Sequence, residues 1–208
     1  NDGTLLNYFP KSVNKHAIDP SQIIKRIDKK KITVIKDFFP PKKENLESLK
    51  IKFDLITSIA MFYDINDPNL FVKNIKYYLK NKGIWVFELS YLVDMLKLNS
   101  FDTICHEHLE YYSLQTLNYL MKKNGLKIFN LSRNSINGGS IRCFVTHEKN
   151  SIYDKKQNIY KIKKLIKNEK KLKINSLYPY KKFYKNILKI KLDLKQLILS
   201  IKKQGKSI

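Results

Sequence analysis

Four titratable side chains stand in a row at Cys105-His106-Glu107-His108, flanked by Asp102, Tyr111 and Tyr112. Such a cluster is costly to bury unless its members pair, and histidine changes charge near neutral pH, so the block suits acid-base chemistry. A His-x-His pair can share one strand face and bind a metal, but a structural zinc takes four ligands and no Cys-x-x-Cys accompanies this pair. The His-Glu-x-x-His spacing of catalytic zinc sites is missing too. No metal site is therefore expected, and a polar surface loop stays open as the plain alternative.

Three more acids, Asp19, Asp37 and Asp64, stand at or just beyond the ends of short apolar runs. Ligands of open parallel sheets bind beyond the carboxyl ends of the strands, where a carboxylate can accept hydrogen bonds from both hydroxyls of a ribose. For Asp19 a turn or helix-capping role is equally open, because Pro20 and Ser21 follow it. Gly138-Gly139 reads as the turn of a hairpin.

The elements that must position these residues alternate along the chain. Strands are expected over 15–18, 31–36, Phe53–Ala60 and Ile84–Leu89, with a short helix over 22–28 and a weak one over 43–50. Asp67-Pro68 opens a helix with the apolar stripe Leu70, Phe71, Ile75, Tyr78 and Leu79, and Gly83 is its expected stop. Helices over 91–98 and 113–124 precede two strands, Leu126–Leu131 and Ile141–His147, that should pair antiparallel. The fold class is therefore α/β: a parallel, doubly wound sheet finished by an antiparallel pair. Residues 1–150 form this core and 151–208 a separate helical segment, in which Tyr178-Pro179-Tyr180 is expected to break a helix. Beyond that break, Phe183, Ile187, Ile190, Leu194, Leu197 and Ile201 mark one amphipathic helix that must dock on something.

Composition excludes several classes. Of the 208 residues, 43% are hydrophobic, which rules out a disordered chain. Two cysteines make no disulfide framework and favour a reducing compartment. There is no signal-peptide pattern or membrane-length apolar run, so a cytoplasmic protein without a membrane partner is expected. The formal net charge is +23, yet only Arg26, Arg133 and Arg142 are arginine. Phosphate-reading surfaces usually include the bidentate arginine fork, so the charge reads first as a solvated lysine surface and second as a nucleic-acid or anionic-ligand footprint.

The residues Phe101-Asp102-Thr103-Ile104-Cys105-His106-Glu107-His108-Leu109-Glu110-Tyr111-Tyr112-Ser113-Leu114 resemble the signature of the nucleotide-sugar C-methyltransferases. Asn137-Gly138-Gly139-Ser140-Ile141-Arg142 is similar to that family's Gly-Gly-Ser-x-Arg segment, and Asn1-Asp2-Gly3-Thr4-Leu5-Leu6 to the end of its cofactor motif. Phe87-Glu88-Leu89-Ser90-Tyr91-Leu92 matches its fifth-strand region.

The resemblance implies a Rossmann-like, class I methyltransferase core that binds S-adenosylmethionine (SAM) and methylates a ring carbon of a keto-deoxysugar through an enolate. It implies His108 as the base, with His106 and Glu107 orienting it or stabilising the enolate oxygen. Asp2 and Gly3 are implied near the methionine part of SAM, Asp19 at its ribose, Asp37 and Phe38 at its adenine, and Ser58 and Ile59 as the floor. Cys105, Asp64, Tyr111, Glu88, Gly138, Gly139 and Arg142 are implied on the side of a nucleotide-linked sugar substrate. Cys105 stands where the family usually has Tyr, and Asp64 where it often has His, which bears on the substrate and the helper acid.

Family members also carry a cysteine-rich zinc domain upstream and a further domain downstream, so the chain is expected to be an internal fragment. It should lack the first strand, and zinc is expected only in the missing N-terminal domain. As a fragment it is expected to be poorly stable and inactive. The competing functions are a SAM methyltransferase of another small molecule or RNA, and a non-enzymatic basic helical adaptor. The adaptor would be favoured by a His-Glu-His cluster far from the sheet's carboxyl edge.

Overall fold

The computed structural model describes residues 2–41 and 51–207; the weak helix expected over 43–50 lies outside them. The chain divides into two compact units, Asn1–Lys52 and Phe53–Ile208.

In the first unit the short helix α1 (Thr4–Asn7) precedes β1 (His16–Ile18) and β2 (Thr33–Ile35). The two strands pair in parallel with Ile18 opposite Ile35. Ile24, Ile27 and Ile32 form a small core against Leu6, Ala17 and Val34. The helix expected over 22–28 is a single 3-10 turn, Gln22–Arg26, because Ile27 is already extended at φ −73° and ψ 134°. Turning there places Ile24 and Ile27 in the same core.

The second unit opens with β3 (Phe53–Ile59), a 3-10 turn (Phe62–Asp64), α2 (Pro68–Tyr78) and β4 (Leu79–Ser90). It continues with α3 (Leu92–Leu98), α4 (Leu114–Lys123), β5 (Leu126–Asn134), β6 (Ser140–His147), α5 (Lys156–Lys171) and α6 (Leu177–Lys203). The sheet runs β3-β4-β6-β5. β3 and β4 are parallel, whereas β6 is antiparallel to both β4 and β5. The α/β class and the antiparallel end of the sheet are as expected.

Local chemistry explains the helix starts. The Asp67 carboxylate accepts from the Leu70 amide at 2.9 Å, and Pro68 occupies a first-turn position that has no hydrogen bond to lose. Phe71, Val72 and Ile75 then face inward. Ser113 caps α4 by accepting from the Thr116 amide at 3.1 Å.

Two expectations are corrected. Gly83 does not end α2, which gives way to β4 at Leu79. The β3–β4 register jumps there, from Phe53 opposite Leu79 to Leu55 opposite Ile84. Any side chain at Gly83 would come within 2.9 Å of the Phe53 carbonyl oxygen, so the glycine serves strand approach. Pro179 does not break a helix either. It lies in the first turn of α6, where its missing N–H costs nothing. The break falls earlier, between α5 and the Ser176 cap, where Lys173 takes a left-handed φ of 52°.

The boundary expected at residue 150 does not separate the helices from the sheet. In the structure α5 packs on β5 and α4, and Phe183 of α6 is buried with Leu92 and Met95 of α3. Both terminal helices therefore belong to the compact unit that holds the sheet. Among the described residues no helix is long and apolar enough to cross a membrane.

Candidate active site

Two segments of the second unit meet just past the carboxyl end of β3. One is the 3-10 turn Phe62–Asp64, and the other is the loop from Phe101 to Tyr112 that carries the His-Glu-His block. Phe62 is fully buried and stacks on Tyr112 with ring centroids 5.4 Å apart and planes within 6°. It also meets Phe71, Trp85 and Phe87 at 5.4–5.5 Å. Burying one such ring contributes about 2–3 kcal/mol, so the turn and the loop's end share one hydrophobic anchor. The Tyr63 carbonyl then accepts from the amides of both Leu109 and Glu110, at 3.0 and 3.1 Å. The cluster thus sits at the sheet's carboxyl edge, the placement that argues against a mere adaptor surface.

His108 is half-buried between Tyr63, 4.2 Å from its ring, and Tyr111 at 6.4 Å. Its Nδ1 lies 2.8 Å from the Thr103 carbonyl oxygen. A carbonyl only accepts, so Nδ1 carries a proton and donates it. The neutral ring therefore keeps its lone pair on Nε2, the arrangement of a general base. The Thr103 carbonyl also accepts from the Tyr111 hydroxyl at 3.4 Å.

Charges around the ring are coupled. Burial raises the Asp64 carboxyl above its ordinary range; the His108 ring opposes this and Glu107 adds to it. The Tyr63 phenol is pushed up by burial first, then by Asp64 and Cys105. Tyr111 is raised by burial, against a hydrogen bond from the backbone of Cys105. Asp64, Glu107, Cys105, Tyr63, Tyr111 and His108 are thus brought together, whereas His106 is exposed. Among the described residues no group of three or more His, Cys, Asp and Glu is arranged to hold a metal ion.

The other residues expected on the substrate side are engaged with protein partners. Glu88 on β4 lies opposite Arg142 on β6, accepts from its Nε at 2.6 Å, and accepts from Asn134 at 3.0 Å. Gly138 and Gly139 have φ values of 75° and 114°. A Cβ at Gly138 would lie 2.5 Å from Ser100 Oγ, and one at Gly139 2.8 Å from Asp94 Oδ2. The two glycines let the hairpin turn press on α3 and on the start of the His108 loop. Asp94 pairs with Arg133, whose guanidinium lies 5.2 Å over the Tyr91 ring.

The residues expected to face the cofactor fall in both units. In the first, Asp19 follows β1 and Asp37 follows β2, so both stand past the carboxyl ends of a parallel pair. Asp19 Oδ1 accepts from the Ser21 amide at 2.8 Å, which is a turn role. Asp37 Oδ1 accepts from the Phe38 amide at 2.8 Å, and the Phe38 ring is 72% exposed. Asp2 accepts from the Thr4 amide at 3.0 Å, which opens α1, and Gly3 (φ 80°) packs against Ile27. In the second unit Ser58 is buried and accepts from Trp85 Nε1 at 3.1 Å, while Ile59 is exposed.

Sequence reasoning missed Phe62, Thr103, Tyr63 and Glu169. A signal existed for the first: a large aromatic inside an otherwise polar turn needs a core to enter. Thr103 acts through its carbonyl, which side-chain identity does not reveal.

A family model described as a methyltransferase domain matches residues 1–131. The chain belongs to the methyltransferase domain family. A second model, described as a C-methyltransferase C-terminal domain, matches residues 135–208. The two matches meet inside the β5–β6 hairpin, so the second supplies β6, an inner strand of the sheet. C-methyltransferase NovU of Streptomyces niveus is 26% identical over 159 residues, covering 74% of this chain and 36% of NovU. The chain thus spans about a third of that relative's length. Among solved structures, the plantazolicin methyltransferase BpumL, in complex with a triazolic desmethylPZN analog and SAH, is similar at 12% identity and a TM-score of 0.52, over 71% of this chain and 74% of BpumL. The O-methyltransferase NcsB1 of neocarzinostatin biosynthesis, in complex with SAM and 2-hydroxy-5-methyl naphthoic acid, is similar at 13% identity and a TM-score of 0.52, over 70% of this chain and 46% of NcsB1. At these identities the likeness is one of fold.

Proposed function

We propose that the protein is a SAM-dependent C-methyltransferase that acts on a ring carbon of a nucleotide-linked keto-deoxysugar, with His108 as the base. The observation that carries this reading is the hydrogen bond from His108 Nδ1 to the Thr103 carbonyl, which leaves Nε2 free to take a proton at the sheet's carboxyl edge. A carbon beside a ketone gives up its proton to Nε2, and the electron pair moves onto the ketone oxygen as an enolate. The Asp64 carboxyl, whose pKa is raised by burial, and the Tyr63 phenol are the neighbouring groups that can face that oxygen. The Nδ1 proton of the imidazolium stays on the ring, donated to the Thr103 carbonyl, and the proton acquired at Nε2 leaves to solvent. His106 and Glu107 complete the block as the groups that orient the base or stabilise the enolate oxygen.

The residues of the first unit fit SAM by their chemistry. Two carboxylates past adjacent parallel strands suit ribose hydroxyls and a purine amino group, and the exposed Phe38 ring offers a stacking face. When bound, SAM supplies an electrophilic methyl group that the nucleophilic carbon accepts as the carbon–sulfur bond breaks. The match to the C-methyltransferase C-terminal domain and the likeness to NovU support carbon as the acceptor.

The test uses the full-length enzyme with SAM and a nucleotide-linked keto-deoxysugar. His108→Ala should abolish methyl transfer and also stop exchange of the substrate α-proton in deuterated water, with SAM affinity held within about twofold. Unchanged turnover in that variant overturns the assignment of the base.

A further inference from the structure

We propose that Glu169, on the helix α5 after the sheet, is a positioning residue that holds the loop carrying His108. The inference rests on the proposed role of His108. Glu169 is fully buried in a surface otherwise crowded with lysine. Its Oε1 accepts from the Tyr91 hydroxyl at 2.6 Å and from the Leu114 amide at 2.7 Å, and its Oε2 accepts from the Gln115 amide at 2.9 Å. All three contacts are donors, which matches an acceptor-only carboxylate and mismatches an amide.

The two amides belong to the first two residues of α4. A helix leaves its first amides without partners inside the helix, and here the third is taken by Ser113. Glu169 therefore completes the cap from 54–55 residues away. A carboxylate at a helix N-terminus is also favoured by the helix dipole.

What this cap holds is the downstream end of the His108 loop. Tyr112 and Ser113 directly precede Leu114, and the Tyr112 carbonyl accepts from the Leu92 amide at 3.1 Å. The second anchor of Glu169, Tyr91, sits where β4 enters α3, and its amide donates to the Gly139 carbonyl at 3.0 Å. One carboxylate thus ties α5 to the end of β4 and to the start of α4. Without it, a buried amide, a part-buried amide and a buried hydroxyl lose their acceptor together. The stretch from Tyr111 to Ser113, which backs His108 and stacks on Phe62, then loses its downstream tether.

The test compares Glu169→Ala, Glu169→Gln and Tyr91→Phe in the full-length protein. Glu169→Ala should speed amide exchange across 105–115 by about tenfold or more, the factor that lost charge-assisted hydrogen bonds imply. It should lower kcat by a similar factor while KM for both substrates stays within about twofold. Glu169→Gln, which sets an N–H against a donor, should move both readouts the same way by less, and it serves if the alanine variant does not fold. Tyr91→Phe keeps both amide bonds and should give the smallest change. Faster exchange throughout the protein with unaltered kcat overturns the proposal and leaves Glu169 a structural residue. If the wild-type enzyme transfers no methyl group, the functional reading fails, and the exchange pattern across 105–115 still decides the role of Glu169.

Discussion

His108 Nδ1 and the Thr103 carbonyl oxygen are 2.8 Å apart, and this bond decides which nitrogen of the ring can act as a base. Nitrogen-15 spectra of the neutral protein should show His108 as the Nδ1–H tautomer with an unprotonated Nε2. The opposite tautomer would remove the ground for a base at Nε2.

Gly139 should be intolerant of any side chain. Its φ is 114° and an added Cβ would meet Asp94. Gly139→Ala should cost about 2–3 kcal/mol and lower the melting temperature even without ligands. A variant that melts normally but binds substrate poorly would instead assign the glycine to the ligand.

Arg142 is half-exposed, whereas its partner Glu88 is buried. Arg142→Ala leaves Glu88 with Asn134 and should destabilise the folded protein by about 1–2 kcal/mol, measured by denaturant titration. An effect confined to substrate KM would show that the arginine serves the ligand and not the pair.

Asp64 has a raised pKa, so its folded form holds a proton more readily than its unfolded form. It therefore disfavours folding when ionised, and that burden lifts as pH falls through the raised pKa towards the ordinary 3.8. Asp64→Asn should raise the melting temperature slightly at neutral pH. The gain should shrink on acidification and be gone below 3.8. A gain independent of pH would trace to packing. The effect is small because the carboxyl faces solvent.

Cys143 is fully buried on β6, and burial drives its thiol pKa far up, with Glu169 adding to the shift. A thiol reagent should label half-buried Cys105 in the native protein and reach Cys143 only after unfolding, as peptide mapping can show. Equal labelling of both would indicate that β6 opens locally.

Much of this was legible in the chain. Asp67-Pro68 and Ser113 announced their helices because a cap is a contact between residues three apart. The alternation of apolar runs announced β3, β4, β5 and β6, and the density of titratable residues located the His108 loop. Gly83 and Pro179 misled for one reason: each residue type has two local meanings, and packing selects between them. Gly83 faces a neighbouring strand, and Pro179 falls in a first turn, where a proline is harmless.

Sequence by itself determined the class of elements, their order and the position of the titratable block, since these depend on interactions within a few residues. Only the tertiary structure decided what those residues touch. Phe62 meets Tyr112 and Glu169 meets Leu114 across long stretches of chain, and Glu88 is matched to Arg142 by strand register. Such contacts form only where the fold has already covered the loop-closure entropy, so no local pattern encodes them.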